Sequence, residues 1–249
     1  MFTAMLMMSS CLVSSLHPFY KAKDKIYEPA MVGSWIDSDS CIWVIEADIT
    51  RELIWGEKVT DNQHQITYNE SFAGKEKMDS TYNILYYEDE NAKAELIGTL
   101  FQLNGITYMD FVPDPDADHS TSEVTSWHHI PVHTLARVQC NKDSILIYWF
   151  GDEWLNELFK QNRIRIKHET VESLDYDRQV LTASTDELQK FIKKYANNPK
   201  EGIDVNKIFA QGYTEEGFME DLGAFLKLKP YFGPLPEEKA KQVEPMYMN

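Results

Sequence analysis

From residue 33 to residue 150 the chain alternates short runs of β-branched and aromatic residues with polar turns, the pattern of strands joined by tight connections. Gly33-Ser34-Trp35 opens the first run, and residues 41–46 form the second, behind a polar turn at 37–40. Further strands are expected at 65–68 and 82–87, with polar residues 74–79 between them; residues 51–62 are ambiguous. The best-defined local feature is a hairpin, residues 96–103 and 106–112 about Asn104-Gly105, because Asn-Gly supplies the positive φ angles of a type I′ turn. That turn sets a register in which Leu103 faces Ile106, Phe101 faces Tyr108 and Leu100 faces Met109. The first two pairs share one side of the sheet, where Asp110 opposite Thr99 is the polar exception.

A second hairpin is expected from residues 135–140 and 145–150. The latter read Ile-Leu-Ile-Tyr-Trp-Phe, which suits a strand buried on both faces. An acidic, Ser/Thr-rich loop, 113–127, separates the hairpins. Helical spacing appears at Trp154, Leu155, Leu158 and Phe159, and residues 163–171 offer one more strand. Ser184 and Glu187 form a capping box ahead of the stripe Leu188, Phe191, Ile192 and Tyr195. A last amphipathic helix is expected over 215–226, although Gly217 and Gly223 oppose it.

These elements predict a mainly β protein with C-terminal helices, an antiparallel meander closed as a barrel or stacked as a sandwich. Residues 32–198 form the β domain, with helices near 152–160 and 184–196. Residues 12–31, with Pro18 and Pro29, read as an extended arm held by Leu16, Phe19, Tyr20, Ile26 and Tyr27. Residues 199–249 read as a C-terminal extension and tail.

The Gly33-Ser34-Trp35 triplet at the head of a meander resembles the opening of lipocalins and related calycin barrels. The resemblance implies that Trp35 closes one barrel end against a basic side chain from a late strand, for which Arg137 is available. It also puts a ligand cavity on the list, with Trp35, Trp43, Phe101 and Tyr108 as candidate lining. The second lipocalin motif is missing, since Thr60-Asp61 is not followed by Tyr at the family's spacing.

The N-terminus changes the picture of where such a barrel works. Residues 1–13 are uncharged, and the apolar run Met5-Leu6-Met7-Met8 leads into Ser9-Ser10-Cys11, small residues before a cysteine as a lipoprotein signal peptidase requires. The basic start of a secretory signal is lacking. Residues 11–20 also resemble the start of uncharacterised bacterial lipoproteins. Lipidation is therefore expected at Cys11, residues 1–11 being a signal remnant, with the chain anchored in the bacterial cell envelope and facing the periplasm or the cell surface. An oxidising compartment would allow a Cys41–Cys140 disulfide if both lie near one rim of the sheet, although two free buried thiols are the simpler expectation.

Charge narrows the partners. Against 24 Lys and Arg stand 40 Asp and Glu, a net charge of −16, which repels phosphate backbones and disfavours nucleic acid. No apolar run reaches the roughly 18 residues of a membrane span. Partners are thus the membrane through a lipid, and a small apolar ligand or a protein.

Candidate chemistry is sparse. His128, His129 and His133 flank Pro131, but in a strand His129 and His133 stand about 13 Å apart, too far for one metal without a bend. Asp114, Asp116 and Asp118 alternate like the start of a calcium loop, yet His119 replaces its glycine and Thr125 its closing glutamate. No nucleophile elbow, phosphate loop or dinucleotide fingerprint occurs, so no catalytic residue and no cofactor are assigned. The expectation is an envelope-anchored binding module; the alternatives are an acidic protein-interaction or inhibitor module and a metal-dependent hydrolase built on the histidine region.

Overall fold

Asn104 and Gly105 both adopt positive φ, 52° and 78°, and the hairpin they turn has the predicted register, with Leu103 opposite Ile106, Phe101 opposite Tyr108 and Leu100 opposite Met109. The structure, a computed structural model, describes residues 12–51, 76–89, 92–115, 130–172, 177–196, 205–206 and 223–236, of which 49–51, 76–80 and 223–224 by backbone alone. Its strands in chain order are β1 (Ser14–Ser15), β2 (Gly33–Ile36), β3 (Ile42–Arg51), β4 (Glu76–Tyr87), β5 (Lys93–Leu103), β6 (Ile106–Pro113), β7 (His133–Asn141), β8 (Ser144–Phe150), β9 (His168–Val171), β10 (Arg178–Leu181) and β11 (Gly223–Pro230). Helices α1 (Asp152–Lys160) and α2 (Thr185–Tyr195) stand where helical spacing predicts them. The strand expected at 65–68 lies outside the described residues.

Strands β2 to β8 run as an antiparallel meander. β11 then inserts between β8 and β2, and β6 pairs with β7, so the sheet closes as an eight-stranded barrel consistent with a calycin-like fold. β11 corrects two expectations. Residues 223–226 begin a strand rather than end a helix, and the barrel does not stop at residue 198 but takes its eighth strand from the supposed extension. The physical reason is local and tertiary together: Phe225, Leu226 and Leu228 fit the open edge beside β8, while Gly223 is a poor helix residue.

Two large apolar cores share the barrel wall, and a smaller cluster of Ile42, Val44 and Tyr87 packs with Tyr231 and Leu235. Strand β8 explains how, since Ile145, Ile147 and Trp149 point inward while Leu146, Tyr148 and Phe150 point outward. The interior is filled by Trp35, Trp43, Ile84, Met109, Phe111, Trp149 and their neighbours. Gly98 on β5 measures how tightly: a Cβ there would stand 2.1 Å from Met109 Cε and 2.8 Å from Ile84 Cδ1. Outside, Phe101, Tyr108, Leu135 and Tyr148 form a second core with Trp154, Leu155 and Leu158 of α1 and Leu188, Phe191 and Ile192 of α2.

The barrel has two distinct ends. The hairpin end carries the Asn104-Gly105 turn and the turn at residues 142–143. The helix end carries Gly151, where β8 gives way to α1, and the turns at 37–41 and 88–92. The arm starts at the helix end, with Leu12 bridged to Gly151 and β1 laid beside His133 and Thr134. It crosses the outer face to the hairpin end, where Ile26, Tyr27 and Met31 pack on the interior core. Phe19 is buried as expected, whereas the Leu16 side chain is 42% exposed and the residue is held by its N–H, which donates to Leu181 O at 3.0 Å. α2 grips the arm from outside: Thr185 Oγ1 donates to Pro18 O at 2.8 Å, Gln189 Nε2 to Asp24 Oδ2 at 2.9 Å, and Lys21 pairs with Asp186.

Candidate functional site

The polar exception of the first hairpin becomes a buried ionisable site. Asp110 on β6 faces outward beneath the arm and is 1% exposed. Its Oδ1 lies 2.6 Å from Nδ1 of His133 on β7, and its Oδ2 accepts the Phe19 N–H at 2.8 Å. Burial pushes the carboxyl above the usual carboxylate range, while the His133 contact and the Phe19 N–H pull the other way. Both carboxylate oxygens are therefore committed, one to the barrel wall and one to the arm. Ser15 is the register partner of His133 across β1, but its hydroxyl donates to Leu181 O at 3.3 Å and accepts the His17 N–H at 3.1 Å. The arrangement is a clasp: it orients an imidazole and fastens the arm.

This geometry relocates His133 relative to the metal expectation. Its Nδ1 is spent on Asp110, and His128 and His129 lie outside the described residues, as do Asp116 and Asp118. Asp114 follows the end of β6, its N–H donating to Glu95 O at 3.0 Å. Among the described residues no group of three or more His, Cys, Asp and Glu side chains converges on a metal position.

The candidate cavity residues separate. Trp35 and Trp43 point into the barrel, and Phe101 and Tyr108 point out of it under the helices, so the four do not line one space. The cause is strand parity, Phe101 and Tyr108 facing each other on the side opposite Leu100 and Met109. Arg137 is not the mate of Trp35 for the same reason. It stands on the outer face between Tyr108 and Tyr148 in register, and its Nη2 donates to Asn206 Oδ1 at 2.6 Å. Trp35 instead donates its indole N–H to Met31 O at 2.9 Å, so the arm's own turn at Pro29–Met31 takes up the closing role at that end. Cys41 and Cys140 are free thiols at opposite ends of the barrel, Cys41 preceding β3 at the helix end and Cys140 beside the 142–143 turn, in line with the simpler expectation of two free thiols and not with the disulfide also left open.

A cleft opens where the wall parts. The β6–β7 ladder runs from Phe111–Thr134 to Tyr108–Arg137 and ends there. Toward the hairpin end, Ile106 and Thr107 on one side and Val138, Gln139 and Cys140 on the other have no register partner across the seam. These residues, with Arg137, Gly105 and the arm's Ile26 and Glu28, line a cleft of about 280 Å³. Burial pushes the Cys140 thiol up to about 12, with Glu28 adding to the effect, so the sulfur facing the cleft is a thiol and not a thiolate nucleophile. Tyr82 is likewise pushed up to about 12 by burial and exchanges hydrogen bonds with the Glu28 backbone, receiving its N–H at 2.8 Å and donating to its carbonyl at 3.2 Å.

A second parting shows what such a seam accepts. The β4–β5 ladder ends at Thr81–Thr99, and beyond it Lys25 of the arm bridges Phe101 in antiparallel sense while the Ile26 N–H donates to Leu100 O at 3.0 Å. The chain's own extended segment takes the vacated place beside β5. Sequence reasoning singled out Arg137 for another role and missed Glu28, Thr107, Gln139 and the place of Cys140 in the cleft lining. Nothing in strand patterning announces where two neighbouring strands diverge.

Comparisons of the chain with family models, with curated proteins and with solved structures find no match.

Proposed function

We propose that the chain is a lipid-anchored binding module of the bacterial cell envelope, in which Cys11 carries the lipid and the barrel is a rigid stand for the β6–β7 cleft. The observation that carries this reading is the opposite placement of two features. Leu12, the residue after Cys11, docks at Gly151 on the helix end, and the cleft opens at the hairpin end. A lipid on Cys11 would hold the body against the membrane with almost no tether, and the cleft would face away from it at about 30 Å, the rise of a nine-residue strand. The Ser9-Ser10-Cys11 pattern and the likeness of residues 11–20 to bacterial lipoproteins support the anchor. No described helix is long and apolar enough to cross a membrane.

Ligand contact is assigned to the cleft rather than to the barrel interior, which packed side chains occupy. Mass spectrometry of protein extracted from native membranes tests the anchor. The expected result is a mature chain starting at acylated Cys11, lost in Cys11→Ser; an unmodified cysteine in membrane-extracted protein removes the anchored reading.

A further inference from the structure

We propose that the helical coat, at the helix end of the barrel, is a contact surface for anionic phospholipid, formed by Arg165 and Lys167, by Lys190 and Lys193 of α2, and by Leu16 of the arm. The surface is separate from the cleft and does not depend on a lipid at Cys11, although the anchored reading would bring it to a membrane. Residues 163–167 read Arg-Ile-Arg-Ile-Lys. Ile164 and Ile166 pack on the outer core, and Arg163, Arg165 and Lys167 are exposed, the alternation of an extended strap. The strap lies antiparallel to α2. At one end the Tyr195 hydroxyl donates to Arg163 O at 2.8 Å. At the other, the Ser184 hydroxyl and N–H, then Lys167 and Lys190, hold the Glu187 carboxyl below its usual range. Eight residues of α2 separate these contacts, about 12 Å of helix, which four steps of extended chain span. α2 turns Lys190, Lys193 and Lys194 outward, opposite its buried Leu188, Phe191 and Ile192. On its other flank the arm brings Lys21 and Lys23 to Asp186.

Charge sets the sign of the partner. Residues 21–24, 163–167 and 185–195 together carry eight Lys and Arg and three carboxylates, in a chain of net charge −16. All three carboxylates are engaged within the coat: Asp186 by Lys21, Glu187 by Ser184, and Asp24 by Gln189. The local excess is therefore positive and faces outward. Spread along a strap and a helix, it meets several phosphates at once, as clusters of Lys and Arg on a helix do at anionic membranes. Leu16 favours lipid over an acidic protein. β1 runs outward past His133 at the helix end, and the Leu16 N–H then donates to Leu181 O. Leu181 pairs with His168, the neighbour of Lys167. An apolar side chain 42% exposed thus stands beside the strap's last cation, the composition of a site at a lipid interface. It is also the fifth residue after Cys11, at the end that a lipid there would hold to a membrane.

The test sediments the full-length chain, made without lipid as Cys11→Ser, with vesicles. Saturable binding is expected to phosphatidylcholine vesicles containing phosphatidylglycerol and not to phosphatidylcholine alone, and it should fade as salt is raised. Arg165→Gln, Lys167→Gln and Lys193→Gln together should weaken it about tenfold or more, with the circular dichroism spectrum unchanged. A matched set, Lys142→Gln, Lys227→Gln and Lys229→Gln, removes the same charge from exposed positions elsewhere on the barrel and should leave binding intact. Leu16→Ser should weaken it as well. Absence of binding to the anionic vesicles, or equal weakening by the two sets, overturns the inference. Polyglutamate bound as tightly as the vesicles, with Leu16→Ser without effect, assigns the surface to an acidic protein and also overturns it. Vesicle binding that fails while native Cys11 is found acylated sinks this surface and leaves the anchor; vesicle binding with an unmodified native Cys11 supports the surface and removes the anchor.

Discussion

Asp110 is the residue on which the outer face turns. A carboxylate buried to 1% exposure is retained because both oxygens have partners, and removing it orphans two donors at once. Asp110→Ala should lower stability by about 1–3 kcal/mol for each donor left unsatisfied, measured by denaturant unfolding. The sign of its pH effect follows from its raised pKa. A carboxyl that binds its proton more tightly folded than unfolded contributes stability that is complete below its unfolded pKa and is lost as pH rises through the folded value. Between about pH 4 and 5.5, below the range where histidine titrates, wild type should therefore lose stability relative to Asp110→Asn as pH rises. A difference that grows in favour of wild type over that window contradicts the assignment. Gly98 gives the matching prediction for the interior. Gly98→Ala drives a methyl into Met109 and Ile84 and should cost about 1–3 kcal/mol, and Met109→Ala should cost less in that background than in the wild type, a coupling read from a double-mutant cycle.

At the scale of elements, the hairpins were legible and the closures were not. Asn104-Gly105 fixes a turn type, and residues 145–150 are apolar on both faces because two cores meet at β8. Local chemistry sufficed for both, as it did for the start of α2, where the Glu187 carboxylate accepts from the N–H and hydroxyl of Ser184 at 3.0 and 2.8 Å. Residues 223–226 misled because Phe225 and Leu226 satisfy a helical stripe as well as a strand, and only the vacant edge between β8 and β2 decides between them. The candidate site was legible at two points, Asp110 as a misfit and Arg137 as a cation on a late strand. The parting of β6 from β7 left no mark in periodicity. The role of β11 has a direct check. A chain ending at residue 222 lacks the only described strand between β8 and β2, and its unfolding transition should lose cooperativity, read by circular dichroism and calorimetry.

Among the described residues, the molecule is a barrel whose helices coat one side, while Tyr231 and Leu235 pack on Ile42, Val44 and Tyr87. Helices α1 and α2, with the arm beneath them, cover the outer face of β5 to β8, and the interior core lies on the other side of the same wall. The acidity of the chain, −16 overall, gives association with any cationic partner a strong dependence on ionic strength.

The place of β11 in the ring has a consequence for how the chain reaches this state. The pairing that completes the barrel joins Trp35 to Pro230, so the two strands that must meet are separated by most of the polypeptide. Closing a loop of that length costs entropy before any contact repays it, and topologies rich in such contacts fold slowly. Until residues 223–230 have been made, β2 and β8 have open edges, and the nascent barrel is a curled sheet able to pair with other chains. Refolding from denaturant should accordingly be slow, with aggregation that rises with protein concentration and falls once β11 has docked.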